Sequence, residues 1–231
     1  MSGTIAELLT AALAFCGAHF LLSSRPVRNA IIARVGEWPF RGLYSIVAAV
    51  CLIWLIRAYG NAPDIPLWAQ TSWVRYLALG IMPFSLILII GGYLTPNPTM
   101  LGRERLLSAH DAAPGMLKIT RHPAMWGIAF WAAAHIFVNG DAASVIFFGT
   151  LGVLALGGAA HIDRRQRLTK GDDWQRFVAA TSFFPFTAII SGRTPFALGE
   201  IGWLRLSAGL GAFIVLMYLH PWLIGVPAWR A

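Results

Sequence analysis

Six long apolar runs dominate this chain and decide what it can fold into. They occupy residues 4–22, 40–58, 73–93, 123–138, 143–161 and 203–225. Roughly 20 helical residues cross a hydrocarbon core of about 30 Å, and only the fourth run is clearly short of that length. Inside lipid, a helix satisfies its own backbone hydrogen bonds. The sequence therefore predicts an all-α fold, a polytopic membrane helical bundle of about six transmembrane helices.

The composition agrees with a membrane protein and excludes an ordinary soluble domain. Hydrophobic residues make up 57% of the chain and charged residues 12%. The net charge of +8 would suggest nucleic acid in a soluble protein. Here the basic residues lie in short loops between apolar runs, where anionic lipid head groups explain them. We predict one transmembrane domain over residues 1–231, with the lipid bilayer as its partner and no nucleic acid.

The distribution of basic residues predicts the orientation of the helices. With six spans, only Arg57, Arg75 and Arg230 fall on one side, and the other fifteen of the 18 Lys and Arg residues fall on the opposite side. Basic loops are retained in the cytoplasm. We therefore expect a multi-pass protein of the bacterial inner membrane, with both termini in the periplasm.

Histidines inside the apolar runs are the first candidates for chemistry. His19 and His161 lie near the ends of the first and fifth runs, and His135 lies past the middle of the fourth. A histidine at bilayer depth is costly unless it has a partner. Two such imidazoles on facing helices, with an apolar cavity between them, would suit the two axial positions of a haem iron. The alternative is that each imidazole only forms a hydrogen bond across a helix interface.

The Arg121-His122-Pro123 segment marks the start of the fourth run. Proline is well tolerated at the first position of a helix. Exposed amides and the helix dipole favour an anion there, so Arg121 and His122 are candidates to hold a lipid phosphate, a carboxylate or a haem propionate. The alternative is simple anchoring at the membrane interface. Asp163, at the end of the fifth run, is placed to pair with Arg121 or His122 at the same depth.

Several motifs together carry a resemblance to a known family. They are Ala18-His19-Phe20, Arg121-His122-Pro123 through Trp131 to His135, Ile162-Asp163-Arg164-Arg165, Gly171-Asp172-Asp173-Trp174 and Thr181-Ser182-Phe183-Phe184-Pro185-Phe186. Over nearly the whole chain, this combination resembles the NnrU family of bacterial membrane proteins. That family is associated with nitric oxide and nitrite metabolism in denitrifying bacteria. It is similar to the 15-cis-zeta-carotene isomerases, which bind haem b through two histidines.

The resemblance implies a haem site and a role for it. His19 and His135 would be the metal ligands, and Arg121, His122 and Asp163 would hold a propionate or a substrate acid. The function implied is nitrogen-oxide metabolism, or a haem-dependent isomerase-like or redox reaction on an apolar small molecule. His135 lies thirteen residues beyond His122, about 20 Å along a helix. For that reason His19 paired with His122 or His161 stays open as a second ligand set.

Two further functions stay open. Arg121-His122-Pro123 and the later charged segment are similar to the isoprenylcysteine and phospholipid methyltransferases, which implies S-adenosylmethionine as an alternative cofactor. For the haem interpretation, the isomerase pattern has a cysteine three residues before its second histidine, where this chain has Ala132. An isomerase-type exchange of the iron ligand is therefore not expected. A non-enzymatic partner of a nitrite or nitric oxide reductase would need neither cofactor.

Overall fold

The computed structural model describes residues 3–100, 102–108, 113–195 and 198–228, and no β-strand occurs among them. The α-helices are α1 (Ile5–Ser23), α2 (Arg25–Val35), α3 (Glu37–Asn61), α4 (Ser72–Leu94), α5 (Met116–Ile119), α6 (Pro123–Asn139), α7 (Ala142–Thr169), α8 (Gly171–Ala180), α9 (Thr187–Ile190) and α10 (Trp203–Ile224). Short 3₁₀ turns occupy Glu104–Ser108 and Leu198–Ile201. The predicted all-α membrane bundle is confirmed.

Five of the described helices are long and apolar enough to cross a membrane, namely α1, α3, α4, α7 and α10. Each coincides with one of the runs predicted from the sequence. The fourth predicted run forms α6, whose 17 residues make it the shortest of the six. Helix α7 has 28 residues and continues to Thr169, because the charged residues after His161 extend the same helix.

The chain divides into two compact units. The first comprises residues up to Gln70 together with His135–Leu154, and the second comprises Thr71–Ala134 with the residues from Ala155 onward. The single domain expected over residues 1–231 stays a prediction.

Helix α1 packs against α3 in the first unit. Leu8, Ala11 and Phe15 are buried along one face of α1, at the spacing of three and four residues that defines a helix face. Thr4 caps the helix, because its hydroxyl oxygen accepts a hydrogen bond from the Glu7 amide at 3.0 Å. The face that carries Phe15 also carries His19, one turn further along.

The turn between α6 and α7 is held by the loop that follows α3. The Trp68 indole N–H donates to the Phe137 carbonyl at 3.1 Å, and the Gln70 side chain donates to the Asn139 carbonyl at 2.7 Å. Gly140 adopts a φ of +70°, and a Cβ there would lie 2.9 Å from the Trp68 carbonyl oxygen. Only glycine fits this turn without strain. The ends of α6 and α7 in the first unit are therefore fixed.

In the second unit, α4 packs against α10 through close backbone contact. A Cβ on Gly209 of α10 would lie 2.5 Å from the Cα atom of Ile87. Helix α4 also meets α6, where the Ser85 hydroxyl donates to the Gly127 carbonyl at 2.7 Å. A Cβ on Gly127 would lie 2.7 Å from the Ser85 carbonyl oxygen. Small residues at these positions let the helices approach one another, as is common in membrane bundles.

Candidate functional site

Arg121, His122 and Asp163 form a buried cluster in the second unit, which we call the Arg-His-Asp cluster. The Asp163 carboxylate accepts hydrogen bonds at both oxygens. Arg121 Nε and Nη2 lie 2.8 and 2.6 Å from Oδ2, and His122 Nε2 lies 2.6 Å from Oδ1. The pairing of Asp163 with Arg121 and His122 that the sequence suggested is therefore present.

The backbone around the cluster is fixed by the segment before α9. The Arg121 amide donates to the Ser182 carbonyl at 2.9 Å, and the Thr120 hydroxyl donates to the Phe183 carbonyl at 2.7 Å. The Arg121 carbonyl accepts a hydrogen bond from Asn97 at 3.2 Å. These contacts hold the backbone of the residues before α6 between two loops.

Burial decides the charge state of the cluster. Arg121 is 7% exposed, His122 2% and Asp163 8%. Burial lowers the pKa of His122 below its ordinary value of 6.5, and the hydrogen bond to Asp163 only partly opposes this effect. His122 is therefore neutral at pH 7, and it donates its Nε2–H to Asp163. The Arg121 guanidinium and the Asp163 carboxylate balance each other, so the cluster as a whole carries no net charge.

Aromatic rings form one wall beside the cluster. The Phe183 ring lies 5.7 Å from the His122 ring and 5.8 Å from the Arg121 guanidinium carbon. It also lies 6.1 Å from the Trp126 ring, which in turn lies 5.6 Å from the Phe184 ring. The Phe183 and Phe184 rings thus pack directly on the start of α6.

His19 and His135 both lie in the first unit, whereas the Arg-His-Asp cluster belongs to the second. The His19 ring contacts the Tyr44 ring edge-on, with 5.5 Å between the centroids. The His135 ring stacks on the Phe148 ring, with 4.7 Å between the centroids. Both side chains are partly buried.

The other histidines considered for iron lie elsewhere. His122 and His161 belong to the second unit, so neither shares a compact unit with His19. His220, near the end of α10, contacts the Val226 carbonyl through Nδ1 at 2.5 Å. Among the described residues, no group of three or more His, Cys, Asp or Glu side chains could hold a metal ion. A haem iron would take only two ligands from the protein.

Comparison with known proteins decides the family. The model of a family described as NnrU protein matches residues 7–228. The chain belongs to the NnrU family. This confirms the resemblance carried by the sequence motifs.

Curated relatives of this NnrU chain include two plant enzymes. It is 40% identical over 81 residues to the 15-cis-zeta-carotene isomerase of Arabidopsis thaliana, a stretch that covers 34% of the chain and 22% of the relative. It is 37% identical over 86 residues to the isomerase of Zea mays, covering 36% and 23%. The chain thus matches less than a quarter of the length of these relatives. No solved structure matches it.

Sequence reasoning missed several residues at the Arg-His-Asp cluster of this NnrU chain. Asn97 was not among the candidate residues, although its side-chain amide donates a hydrogen bond to the Arg121 carbonyl. Thr120 belonged to no motif, and Ser182 was named only within the motif 181–186. Their contact with each other could not be predicted, because it joins segments about 60 residues apart. Trp126 follows His122 by four residues, a spacing that places both side chains on one helix face and was available from the sequence.

Proposed function

We propose that this protein binds haem b between His19 and His135 in the membrane. The function we propose is an isomerase-like or redox reaction on an apolar small molecule, within bacterial nitrogen-oxide metabolism. Membership of the NnrU family and the likeness to plant isomerases support an isomerase-like role in the membrane. The haem itself is supported by the arrangement of the two histidines.

The observation that carries the proposal is a pair of contacts made by α7. Two α7 residues only two positions apart, Phe148 and Thr150, contact the two helices that carry the histidines. The His135 ring stacks on Phe148 with an angle of 26° between the planes. The Cys16 thiol contacts the Thr150 carbonyl at 3.6 Å. Cys16 precedes His19 by three residues, so the two lie on the same face of α1. Residues 148–150 of α7 therefore contact both helices that carry the candidate ligands, within the first unit.

The donor chemistry of His19 suits an iron ligand. Its Nδ1 lies 2.7 Å from the Phe15 carbonyl oxygen, which can only accept a hydrogen bond. Nδ1 therefore carries the proton and Nε2 keeps a lone pair. Histidine ligands commonly have this arrangement, with the second nitrogen hydrogen-bonded to fix the tautomer and the ring. A haem b held there would supply an iron centre for redox or isomerisation chemistry.

The protein's own contribution would be orientation and exclusion of water. The Tyr44 ring packs edge-on against His19, and the Phe148 ring covers one side of His135. Ala132, one turn before His135, is 1% exposed and offers no ligand atom. Exchange between histidine and thiolate ligands is therefore not part of the proposal. The assignment of Arg121, His122 and Asp163 to a haem propionate or substrate acid stays a prediction.

The test is the absorption spectrum of the protein purified in mild detergent after growth with ample iron. We expect a Soret band and a haem b signature in pyridine. His19→Ala and His135→Ala should each lower haem content at least tenfold, whereas the control His220→Ala should not. A colourless wild-type protein, or full haem content in both ligand variants, would overturn the proposal. If His161→Ala lost its haem while His135→Ala kept it, His19 and His161 would replace His19 and His135 as the ligand pair.

The two alternatives give different results in the same preparation. A lipid methyltransferase would bind S-adenosylmethionine saturably and lose that binding in Arg121→Ala. A partner of nitrite or nitric oxide reductase would bind neither cofactor and would copurify with the reductase after crosslinking. No described contact favours either alternative over haem.

We also propose that the protein lies in the bacterial inner membrane with both termini in the periplasm, following the distribution of its basic loops. Alkaline phosphatase fused after residue 70 or at the C-terminus should be active, because this enzyme matures only in the periplasm. A fusion after Gly192 should be inactive. The reverse pattern of fusion activities would show that both termini lie in the cytoplasm, and it would leave the haem proposal unchanged.

A further inference from the structure

Three buried polar atoms next to the Arg-His-Asp cluster have no hydrogen-bond partner among the described residues. They are His122 Nδ1, Trp126 Nε1 and Ser182 Oγ. Buried polar groups in proteins are nearly always paired, so each exception calls for an explanation. Three exceptions in adjoining residues mark this part of the fold as a candidate binding site for a polar group.

The three residues belong to elements in direct contact within the second unit. Trp126 lies one helical turn beyond His122, and its amide donates to the His122 carbonyl at 3.0 Å. Ser182 is fixed beside them, because its carbonyl accepts a hydrogen bond from the Arg121 amide. The Phe183 ring contacts the rings of both His122 and Trp126. The three residues that carry the unpartnered atoms therefore lie together in one part of the second unit.

The chemistry of these atoms defines what they can bind. Asp163 holds the Nε2–H of His122, so Nδ1 presents a lone pair and accepts. The Trp126 indole can only donate, and the Ser182 hydroxyl can do both. A complementary group must therefore donate and accept at once, as a hydroxyl or an unionised carboxyl group does. An anion is disfavoured, because Asp163 already balances the charge of Arg121.

The surroundings indicate that the rest of the ligand is apolar. The Phe183, Phe184 and Trp126 rings form a continuous wall from the unpartnered atoms outward. Phe184 is 62% exposed, so this wall reaches the protein surface. In a membrane protein, such a path suits a molecule that partitions into lipid and carries one small polar head.

We propose that His122, Trp126 and Ser182 form a binding site for the hydroxyl or unionised carboxyl head group of an apolar membrane molecule. The head group donates to His122 Nδ1 and accepts from the Trp126 indole. The aromatic wall contacts its apolar chain. The site uses neither of the histidines proposed to ligate the haem iron, and it does not depend on the haem proposal.

The test observes His122 directly by nitrogen NMR of the full chain, labelled with ¹⁵N-histidine, in lipid nanodiscs. The His122 signals are assigned by their loss in His122→Asn. Oleyl alcohol or oleic acid should shift the unprotonated Nδ1 resonance saturably, and the probe that acts identifies the head group. Methyl oleate, which has no O–H, should leave the resonance unchanged. No response to either probe, or an equal response to methyl oleate, would overturn the proposal.

Variants separate this site from a general effect of lipid. Trp126→Phe should weaken probe binding about fivefold, as expected for one lost neutral hydrogen bond. Trp174→Phe is the matched control, since Trp174 is a second buried tryptophan with an unpartnered indole in the same unit. Ser182→Ala provides a second variant should Trp126→Phe fail to fold. If Trp174→Phe weakened probe binding as much as Trp126→Phe, the proposed site would be contradicted. Haem content, measured separately, tests the proposed haem function independently of this site.

Discussion

Replacing Asp163 by Asn is the sharpest perturbation of the Arg-His-Asp cluster. The shape of the side chain is kept, but its negative charge is lost. Arg121 then remains 7% exposed with no counter-ion in the cluster. An amide can accept a hydrogen bond from only one of its two partners, so its NH₂ group would face a second donor. His122 can relieve that conflict by moving its proton to Nδ1, whereas Arg121 cannot, since its guanidinium stays protonated.

The expected cost follows from the burial of this pair. Side-chain exposures of 8% for Arg121 and 11% for Asp163 place both groups out of solvent. Removing one partner of a buried ion pair costs about 3–5 kcal/mol, because the remaining charge is left uncompensated. We expect Asp163→Asn to lower the free energy of unfolding by about 3 kcal/mol, roughly a hundredfold in the ratio of folded to unfolded protein.

Reversible unfolding in mixed micelles, followed by circular dichroism, measures this change. Asp173→Asn is the matched control, because Asp173 pairs with Arg176 on the surface, where the two side chains are 37% and 68% exposed. The control should cost less than about 1 kcal/mol. Adding Arg121→Gln to Asp163→Asn should recover about 1 kcal/mol or more through the coupling of the pair. Equal effects of Asp163→Asn and Asp173→Asn would refute the buried charge pair.

Two further predictions concern proton binding and helix packing. Burial lowers the pKa of His122 below 6.5, so below that pH the unfolded chain binds more protons and stability falls as the pH drops. His122→Gln should flatten this fall below about pH 6.5 in unfolding titrations, and an unchanged slope would contradict it. Gly209→Ala should lower stability by about 1–3 kcal/mol, because its Cβ would press on the Ile87 backbone. Gly211→Ala meets nothing within 4 Å and should be neutral or slightly stabilising, so equal thermal stability of the two variants would contradict the packing argument.

The helices were predictable from the sequence because lipid leaves a chain little choice of structure. Residues 4–22 were predicted and Ile5–Ser23 is observed, and the last run, 203–225, is found as Trp203–Ile224. The end of α7 was not predictable from apolarity, since its last turns are charged. Hydropathy locates the lipid boundary, whereas a helix continues until its hydrogen bonding or backbone geometry changes.

The candidate site was only partly predictable. The pairing of Asp163 with Arg121 and His122 followed from charge and expected membrane depth, because an intramembrane charge must find a partner. The contribution of Ser182 could not be foreseen, since its hydrogen bond with Arg121 uses the backbone carbonyl, which every residue has. The neutral state of His122 depends on how completely it is enclosed, and enclosure follows from tertiary packing.

The 17 residues of α6 have a consequence for the surrounding membrane. A helix of that length rises only about 25 Å, some 5 Å less than a typical hydrocarbon core. If α6 crosses the bilayer as the fourth predicted span, the acyl chains beside it compress or the polar residues at its ends are drawn inward. Both responses strain the segment that carries His122 at one end and the turn at Gly140 at the other. Bilayers of shorter-chain lipids relieve this mismatch, so membrane thickness becomes a physical control on the geometry of both ends of α6.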